Sequence, residues 1–432
     1  MPSSESTPIR VLVADDAVVV RHLLTSVIND DPDLVVVSVA RNGAIAVARF
    51  EQLRPDVVTL DVEMPEMDGL QALAAIRKID RNVPIIMFST LTERGGEATL
   101  DALSLGASDY VTKPSSAGGV GAAMERVRDE LIPRIKALCA RPAPASEPKS
   151  KARLTTVTGR AAAKRPTNRV DPAGDGLNGN NGNNGLNGNN GNNGNGHNSN
   201  GHASGPVGSD QTEPGAELSR PVADRSTWAP PTGVIDVLAI GASTGGPVAL
   251  GTLLESLPAD FRVPILITQH MPTVFTRLLA KRIDGSAAIR VREAEDGDEL
   301  EPGLALIAPG DFHVVLERGL TKVTVRLDQG EPVNFCRPSV DVMFRSVADV
   351  YGGDVLAVML TGMGRDGRDG CRDLKANGGM VIAQDEASSV VWGMPGAVVN
   401  SGLADFVLGL GAIGPKVAGL VAGQPSSVSR SR

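Results

Sequence analysis

"DVLAIGASTGGPVAL", residues 236–250, passes from an apolar run through a cluster of small residues into a helix-like pattern. The run reads as a buried strand, the glycines as a sharp turn and the remainder as a helix. Three roles fit such a turn. It can be a plain reversal, it can hold a phosphate at the helix N-terminus, or it can expose a nucleophile as G-x-S-x-G turns do. Gly-Ala-Ser-Thr-Gly, residues 241–245, fits the last pattern with Ser243 at its centre. It lacks the second glycine of a dinucleotide fingerprint. Gly245-Gly246-Pro247 stands where a P-loop needs Gly-Lys-Ser/Thr. The turn alone leaves the three roles open.

A serine nucleophile needs a base, usually histidine. Beyond residue 232 the chain offers only His270 and His313. His270 ends the apolar run "PILITQH", at a strand's carboxyl end and so on the same sheet edge as Ser243. His313 lies in "APGDFHVVLE", within residues 289–328, where short strands and turns suggest a small antiparallel insert on a mainly parallel sheet. "DVLAVMLTGMGRDG" (354–367) adds a strand, a glycine-rich turn and Asp366. That aspartate can orient an imidazole or simply cap a helix. Backbone N–H groups of the turn, including that of Met363, are placed to donate to an oxyanion. The order serine, histidine, acid differs from that of α/β-hydrolases, but a triad is defined by geometry rather than order.

Residues 9–138 repeat a strand–helix alternation five times, which predicts α/β architecture with a parallel sheet covered on both faces. Ligands in such sheets bind at the carboxyl ends of the strands. Asp15 and Asp16 close the first strand, Asp61 the third ("VVTLDVEMPEMDG", 57–69), Ser89 the fourth and Lys113 the fifth. Converging carboxylates repel one another unless a hard cation joins them, and Mg²⁺ takes one or two carboxylates with phosphate oxygens. A cation and a lysine would neutralise a phosphoryl group in transfer, and an aspartate could accept it.

The chain has 432 residues, 41% of them hydrophobic and only 3% aromatic, so its cores rest on aliphatic side chains. A net charge of −8 argues against a nucleic-acid or membrane-surface binder. Three scattered cysteines predict a reducing compartment without disulfides or a cysteine zinc site. No signal-like or membrane-length apolar run is present, so a soluble, cytoplasmic chain is expected; it is taken to act as a monomer. Residues 140–232 lose apolar periodicity, first Pro/Ala-rich and then almost pure Asn/Gly, with His197 and His202 incidental within them. Such composition cannot offset its ordering entropy and predicts a disordered linker. The expected units are 1–139, the linker 140–232, and 233–425.

"VLVADD", "LDVEMPEMDG", "FST" and "YVTKP" together make residues 9–135 resemble a response-regulator receiver domain. The resemblance implies a flavodoxin-like sheet of order 2-1-3-4-5 with Asp61 as phosphoacceptor. It implies Mg²⁺ held by Asp16, Asp61 and the Glu63 backbone carbonyl with Asp15 in support, and a cis Lys113–Pro114 bond. Ser89 and Lys113 would read the phosphoryl group, with Tyr110 as aromatic switch. Downstream, "IGASTGGP", "ITQHMP", "FCRPSVDVMF", "MLTGMGRDG" and "WGMPGAV" resemble the catalytic domain of the chemotaxis protein-glutamate methylesterases. That resemblance implies hydrolysis of glutamate γ-methyl esters on methyl-accepting chemoreceptors, and deamidation of certain receptor glutamines. Ser243 would be the nucleophile, His270 the base and Asp366 the orienting acid, with Thr244 and Met363 supporting nucleophile or oxyanion. The esterase would need no cofactor, and a chemotaxis histidine kinase would be the phosphodonor. A phosphorylation-controlled receptor-binding module and an esterase for small metabolites are the competing readings.

Overall fold

The computed structural model describes residues 7–114, 119–140 and 234–423. The expected linker lies outside them, apart from its first residue. Among the described residues no helix is long and apolar enough to cross a membrane.

In the N-terminal half, β1 (Ile9–Ala14), β2 (Leu34–Ala40), β3 (Val57–Asp61), β4 (Ile85–Ser89) and β5 (Asp109–Thr112) form one parallel sheet. Its order is β2-β1-β3-β4-β5, as expected. Strand side chains alternate between faces. Val11 and Val13 of β1 therefore join a core with α1 (Val18–Asn29) and α5 (Gly119–Cys139). Leu12 and Ala14 join the opposite core with α2 (Gly43–Leu53), α3 (Gly69–Ile79) and α4 (Glu93–Ser104). Covering both faces explains why β3 and β4 are apolar without alternation. Asp68 opens α3 through a reciprocal capping box with Gln71. Gly69 follows it because a Cβ there would sit 2.0 Å from the Asp61 carbonyl oxygen, so only glycine lets α3 begin against the end of β3.

In the C-terminal half the strands are β6 (Val237–Ala242), β7 (Ile265–Gln269), β8 (Arg290–Glu293) and β9 (Leu304–Ile307). β12 (Val355–Met359), β13 (Met380–Gln384) and β14 (Phe406–Leu408) complete the sheet. These seven pair in parallel in the order β14-β13-β12-β6-β7-β9-β8. Only β10 (His313–Arg318) and β11 (Val323–Asp328) form a separate antiparallel pair. The expected insert is thus half as large as its sequence suggests. β9 is buried at all four positions, as a strand covered on both faces must be, and it draws β8 into the main sheet.

From β6 the chain builds outward through β7, then returns to β12 on the other side of β6. The switch point therefore lies at the carboxyl ends of β6 and β12. α6 (Gly246–Glu255), α7 (Thr273–Asp284), α8 (Val340–Tyr351) and α9 (Arg368–Ala376) flank it.

Candidate functional sites

The strand ends of the N-terminal half bring Asp15, Asp16 and Asp61 within 4.8 Å of one another. Asp15 and Asp61 are buried and Asp16 is exposed. Lys113 Nζ stands 3.0 Å from Asp15 Oδ2 and 2.8 Å from Asp61 Oδ2. Both oxygens are buried, and the Lys113 ammonium is their one polar partner among the described residues. Burial pushes the Asp61 carboxyl up to about 6, with Asp15 adding to the push and Lys113 opposing it. Two buried carboxylate oxygens that meet only a lysine, with one exposed carboxylate beside them, are a donor set a hard cation can take. The Glu63 amide lies 3.4 Å from Asp61 Oδ1, which keeps that residue's backbone at the site. Ser89 is buried, and its hydroxyl donates to the Gly95 carbonyl rather than facing the acids. The only cis peptide among the described residues is Arg337–Pro338, so the Lys113–Pro114 bond is trans, against expectation. The trans form is the lower-energy default, and Lys113 reaches both aspartates with it.

The second site is set by strand register. Ala242 pairs with Gln269, so Ser243 and His270 leave β6 and β7 side by side. The Ser243 amide donates to the Thr361 carbonyl just beyond β12, which brings the third strand end to the same place. Gly245, at φ +76°, turns the chain into α6. Gln269 Nε2 donates to the Ser243 carbonyl at 3.0 Å and fixes the turn. Gly362 packs on Ser243 so closely that a Cβ would lie 2.8 Å from the serine Cβ. Among the described residues, no hydrogen bond engages the backbone N–H groups of Thr244 or Met363.

His270 Nε2 lies 2.9 Å from Asp366 Oδ2, and Nδ1 faces Cys336 Sγ at 3.7 Å. Burial disfavours the imidazolium, but Asp366 and the Cys336 thiol outweigh it and push His270 up to about 10. Asp366 is itself buried, yet bonds from His270, Asn334 and Ser339 hold its carboxyl down at about 2. Ser339 Oγ and Asn334 Nδ2 each donate to Oδ1 at 2.8 Å, and the Val340 amide donates to Oδ2 at 2.6 Å. The structure thus joins His270 to Asp366. It makes no hydrogen bond between Ser243 Oγ and the His270 ring among the described residues. His313 is excluded as the base by its neighbours. Its ring is buried, with Nδ1 accepting from the Ser339 amide and Nε2 against the Glu331 carbonyl.

Thr244 does something the sequence did not suggest. Its hydroxyl donates to Asp109 Oδ2 at 2.8 Å, across to β5 of the other half. Tyr110, next to Asp109, stacks on Phe275 of α7 with ring centroids 4.7 Å apart. Arg282 Nη1 bonds Asp101 at 2.6 Å, and Arg277 pairs with Glu93. Gly96 lets α4 approach α7, since a Cβ there would meet Leu278 at 2.6 Å. β5 of the first half is therefore fastened to the residue beside Ser243.

Fold and sites together define a response regulator whose output half is an α/β enzyme of the serine-hydrolase kind. Family models agree: one for the response regulator receiver domain matches residues 11–125, and one for CheB methylesterase matches residues 238–417. A protein-glutamate methylesterase/protein-glutamine glutaminase of a Nocardioides species is 44% identical over 420 residues, covering 97% of each chain. The chain belongs to the protein-glutamate methylesterase/protein-glutamine glutaminase family. A relative of the same description from Trichodesmium erythraeum is 41% identical over 94% of this chain and 97% of its own. The crystal structure of the Thermotoga maritima CheB methylesterase catalytic domain is 45% identical, covering 43% of this chain and 98% of that one, at a TM-score of 0.43.

Proposed function

We propose that this chain removes methyl groups from glutamate γ-methyl esters of methyl-accepting chemoreceptors, deamidates receptor glutamines, and is controlled by phosphorylation at Asp61. One observation carries the catalytic assignment. A buried, five-donor Asp366 holds His270 at the strand edge where the Ser243 turn also lies. Ser243 Oγ attacks the ester carbonyl carbon, and the imidazole takes its proton. Nε2 is committed to Asp366, so Nδ1 is the nitrogen that leaves Cys336 to receive it. The N–H groups of Thr244 and Met363 hold the oxyanion, a contribution typically worth about 3–4 kcal/mol of barrier per donor. His270 protonates the departing methoxide, methanol leaves, and water releases the new carboxylate from the serine. A glutamine side chain follows the same path and loses ammonia. No step needs a cofactor.

In the first half, Asp61 is the nucleophile for the phosphoryl group, with a histidine kinase as donor. Asp15, Asp16, Asp61 and the Glu63 carbonyl would hold Mg²⁺, which neutralises phosphoryl oxygens when bound. Lys113 follows the phosphoryl group, and Ser89 must turn from Gly95 to meet it. The Tyr110–Phe275 stack and the Asp109–Thr244 bond support a docked, restrained state, which phosphorylation shifts toward an open one. We assign residues 1–139 to the receiver, 140–232 to the linker and 233–425 to the catalytic domain. The protein acts as a cytoplasmic monomer.

The test is methanol release from methylated receptor, with and without a small-molecule phosphodonor. Wild type should release methanol and respond to phosphodonor, Asp61→Asn should lose only the response, and Ser243→Ala should lose release altogether while staying folded. A fully active Ser243→Ala protein would overturn the assignment. Deleting residues 1–140 should raise basal release, and an unchanged or lower rate would sink restraint by docking.

A further inference from the structure

We propose that Phe335 is the side chain with which the catalytic half grips its substrate protein beside the esterified glutamate. The inference rests on the esterase reading above and adds how the substrate protein is held. Val333 and Cys336 exchange backbone hydrogen bonds at 3.1 and 2.9 Å, closing a two-residue turn. Both central residues are left-handed, Asn334 at φ +53° and Phe335 at φ +63°. Such a turn favours Asn and then Gly. Asn334 fits the rule and Phe335 breaks it, because its Cβ makes the left-handed conformation unfavourable.

The fold draws no compensation from this aromatic ring. Phe335 is 103% exposed, so it is as open to water as in an unfolded chain. Strain and exposure at one residue mark a functional position rather than a structural one. The two flanking residues say which function. Asn334 Nδ2 donates to Asp366 Oδ1 and to Asp341 Oδ2, both at 2.8 Å. Cys336 Sγ faces His270 Nδ1 at 3.7 Å. Through Asn334 and Cys336 the turn is fastened to the histidine–aspartate pair, and the Phe335 ring projects into solvent. On the Ser243 side, Val390 is 44% exposed and packs over Gly245. Two exposed apolar side chains thus flank the reacting groups.

The substrate chemistry fits. A glutamyl ester carbonyl is only a few bonds from its own backbone, so the substrate protein's surface must meet the rim of the site when the ester reaches Ser243. An exposed aromatic carried on a hydrogen-bonded turn is the kind of anchor that supplies affinity there. The bonds and stacks between the two halves lie at α4, β5, α7 and Thr244, not in residues 333–338. Phe335 therefore stays open while the receiver is docked, and it can hold substrate in either state.

The test uses the full chain with phosphodonor and methylated receptor. It compares KM and kcat for methanol release among wild type, Phe335→Gly, Phe335→Ala and Phe335→Tyr, with thermal unfolding and sedimentation of each. Expected is a rise in KM of about tenfold in the Gly and Ala variants, with the loss on KM rather than kcat and rescue by Tyr. Phe335→Gly should melt no lower than wild type, since glycine relieves the left-handed turn. An unchanged KM, or a collapse of kcat at constant KM, overturns the proposal. So does a lost dimer in Phe335→Ala, which would assign the ring to a second copy of this chain. A wild type that releases no methanol overturns the esterase reading and this inference with it. An active wild type with unaltered variants overturns this inference alone.

Discussion

Replacing Asp61 by asparagine should stabilise the metal-free protein, and the gain should depend on pH in a defined way. Asp61 is 2% exposed and its carboxyl titrates at about 6 rather than 3.8. Burial is the main cause, and Asp15 adds to it. Two units at ~1.4 kcal/mol each set a ceiling of about 3 kcal/mol on the cost of keeping Asp61 ionised. Asp15 and Lys113 adjust when Asp61 changes charge, so about 1–2 kcal/mol is expected. The folded pKa lies above the unfolded one, so the folded state holds the proton more tightly. The wild type therefore carries the full cost above pH ~6, sheds it as pH falls toward 3.8, and carries none below that. Asparagine never carries it. Scanning calorimetry of the full chain at pH 8, 6 and 4, in chelator, should show the receiver transition raised by several degrees at pH 8 and by nothing at pH 4. Millimolar Mg²⁺ should stabilise the wild type and close much of the gap, because the cation relieves the same repulsion. A gain that persists at pH 4 would mean that packing, not charge, is the source. A destabilised asparagine variant would refute the reasoning outright.

Other outcomes follow from the second site and the contact between the halves. Arg282→Glu should raise basal methanol release severalfold by breaking the Asp101 pair, and adding Asp101→Arg should restore restraint. Phe275→Ala should also raise basal release, since it removes the face on which Tyr110 stacks. Gly362→Ala should cut kcat by about tenfold or more while leaving the fold cooperative, because its methyl would press on Ser243 and on Met394. His270 sits well above the ordinary histidine range and works as base only after losing its proton, so the acid limb of the kcat/KM profile, where activity rises with pH, should lie well above pH 7, toward about 10. Asp366→Asn removes the charge that favours the imidazolium. It should move that limb down and cost about 10³–10⁴ in kcat.

Most of both sites is written locally. A strand end is marked by an apolar run that stops, and parallel βα units put every such end on one edge. Asp15, Asp61, Ser89 and Lys113 could therefore be grouped without knowing a single contact. Ser243, His270 and Asp366 could be grouped in the same way, and His313 could be set apart by its place in the insert. The motif "FCRPSVDVMF" was visible too, but not its purpose. Asn334, Ser339 and Val340 lie more than 25 positions from Asp366, and nothing in their own spacing says that they converge on it. Thr244 presents the same problem, since its partner Asp109 is 135 residues away in the other half.

The sequence by itself determined the elements, their alternation and the edge on which the chemistry lies. These depend on apolar period and turn residues, which act over a few positions. Only the tertiary structure decided which neighbours each side chain has. β9 joined the main sheet because its two faces found cover. His270 acquired a thiol on the ring nitrogen that Asp366 does not hold. The Thr244 hydroxyl, next to Ser243, was tied to β5. Such pairings depend on how distant surfaces pack, and a residue's local pattern fixes that it is buried or turned, not what it meets.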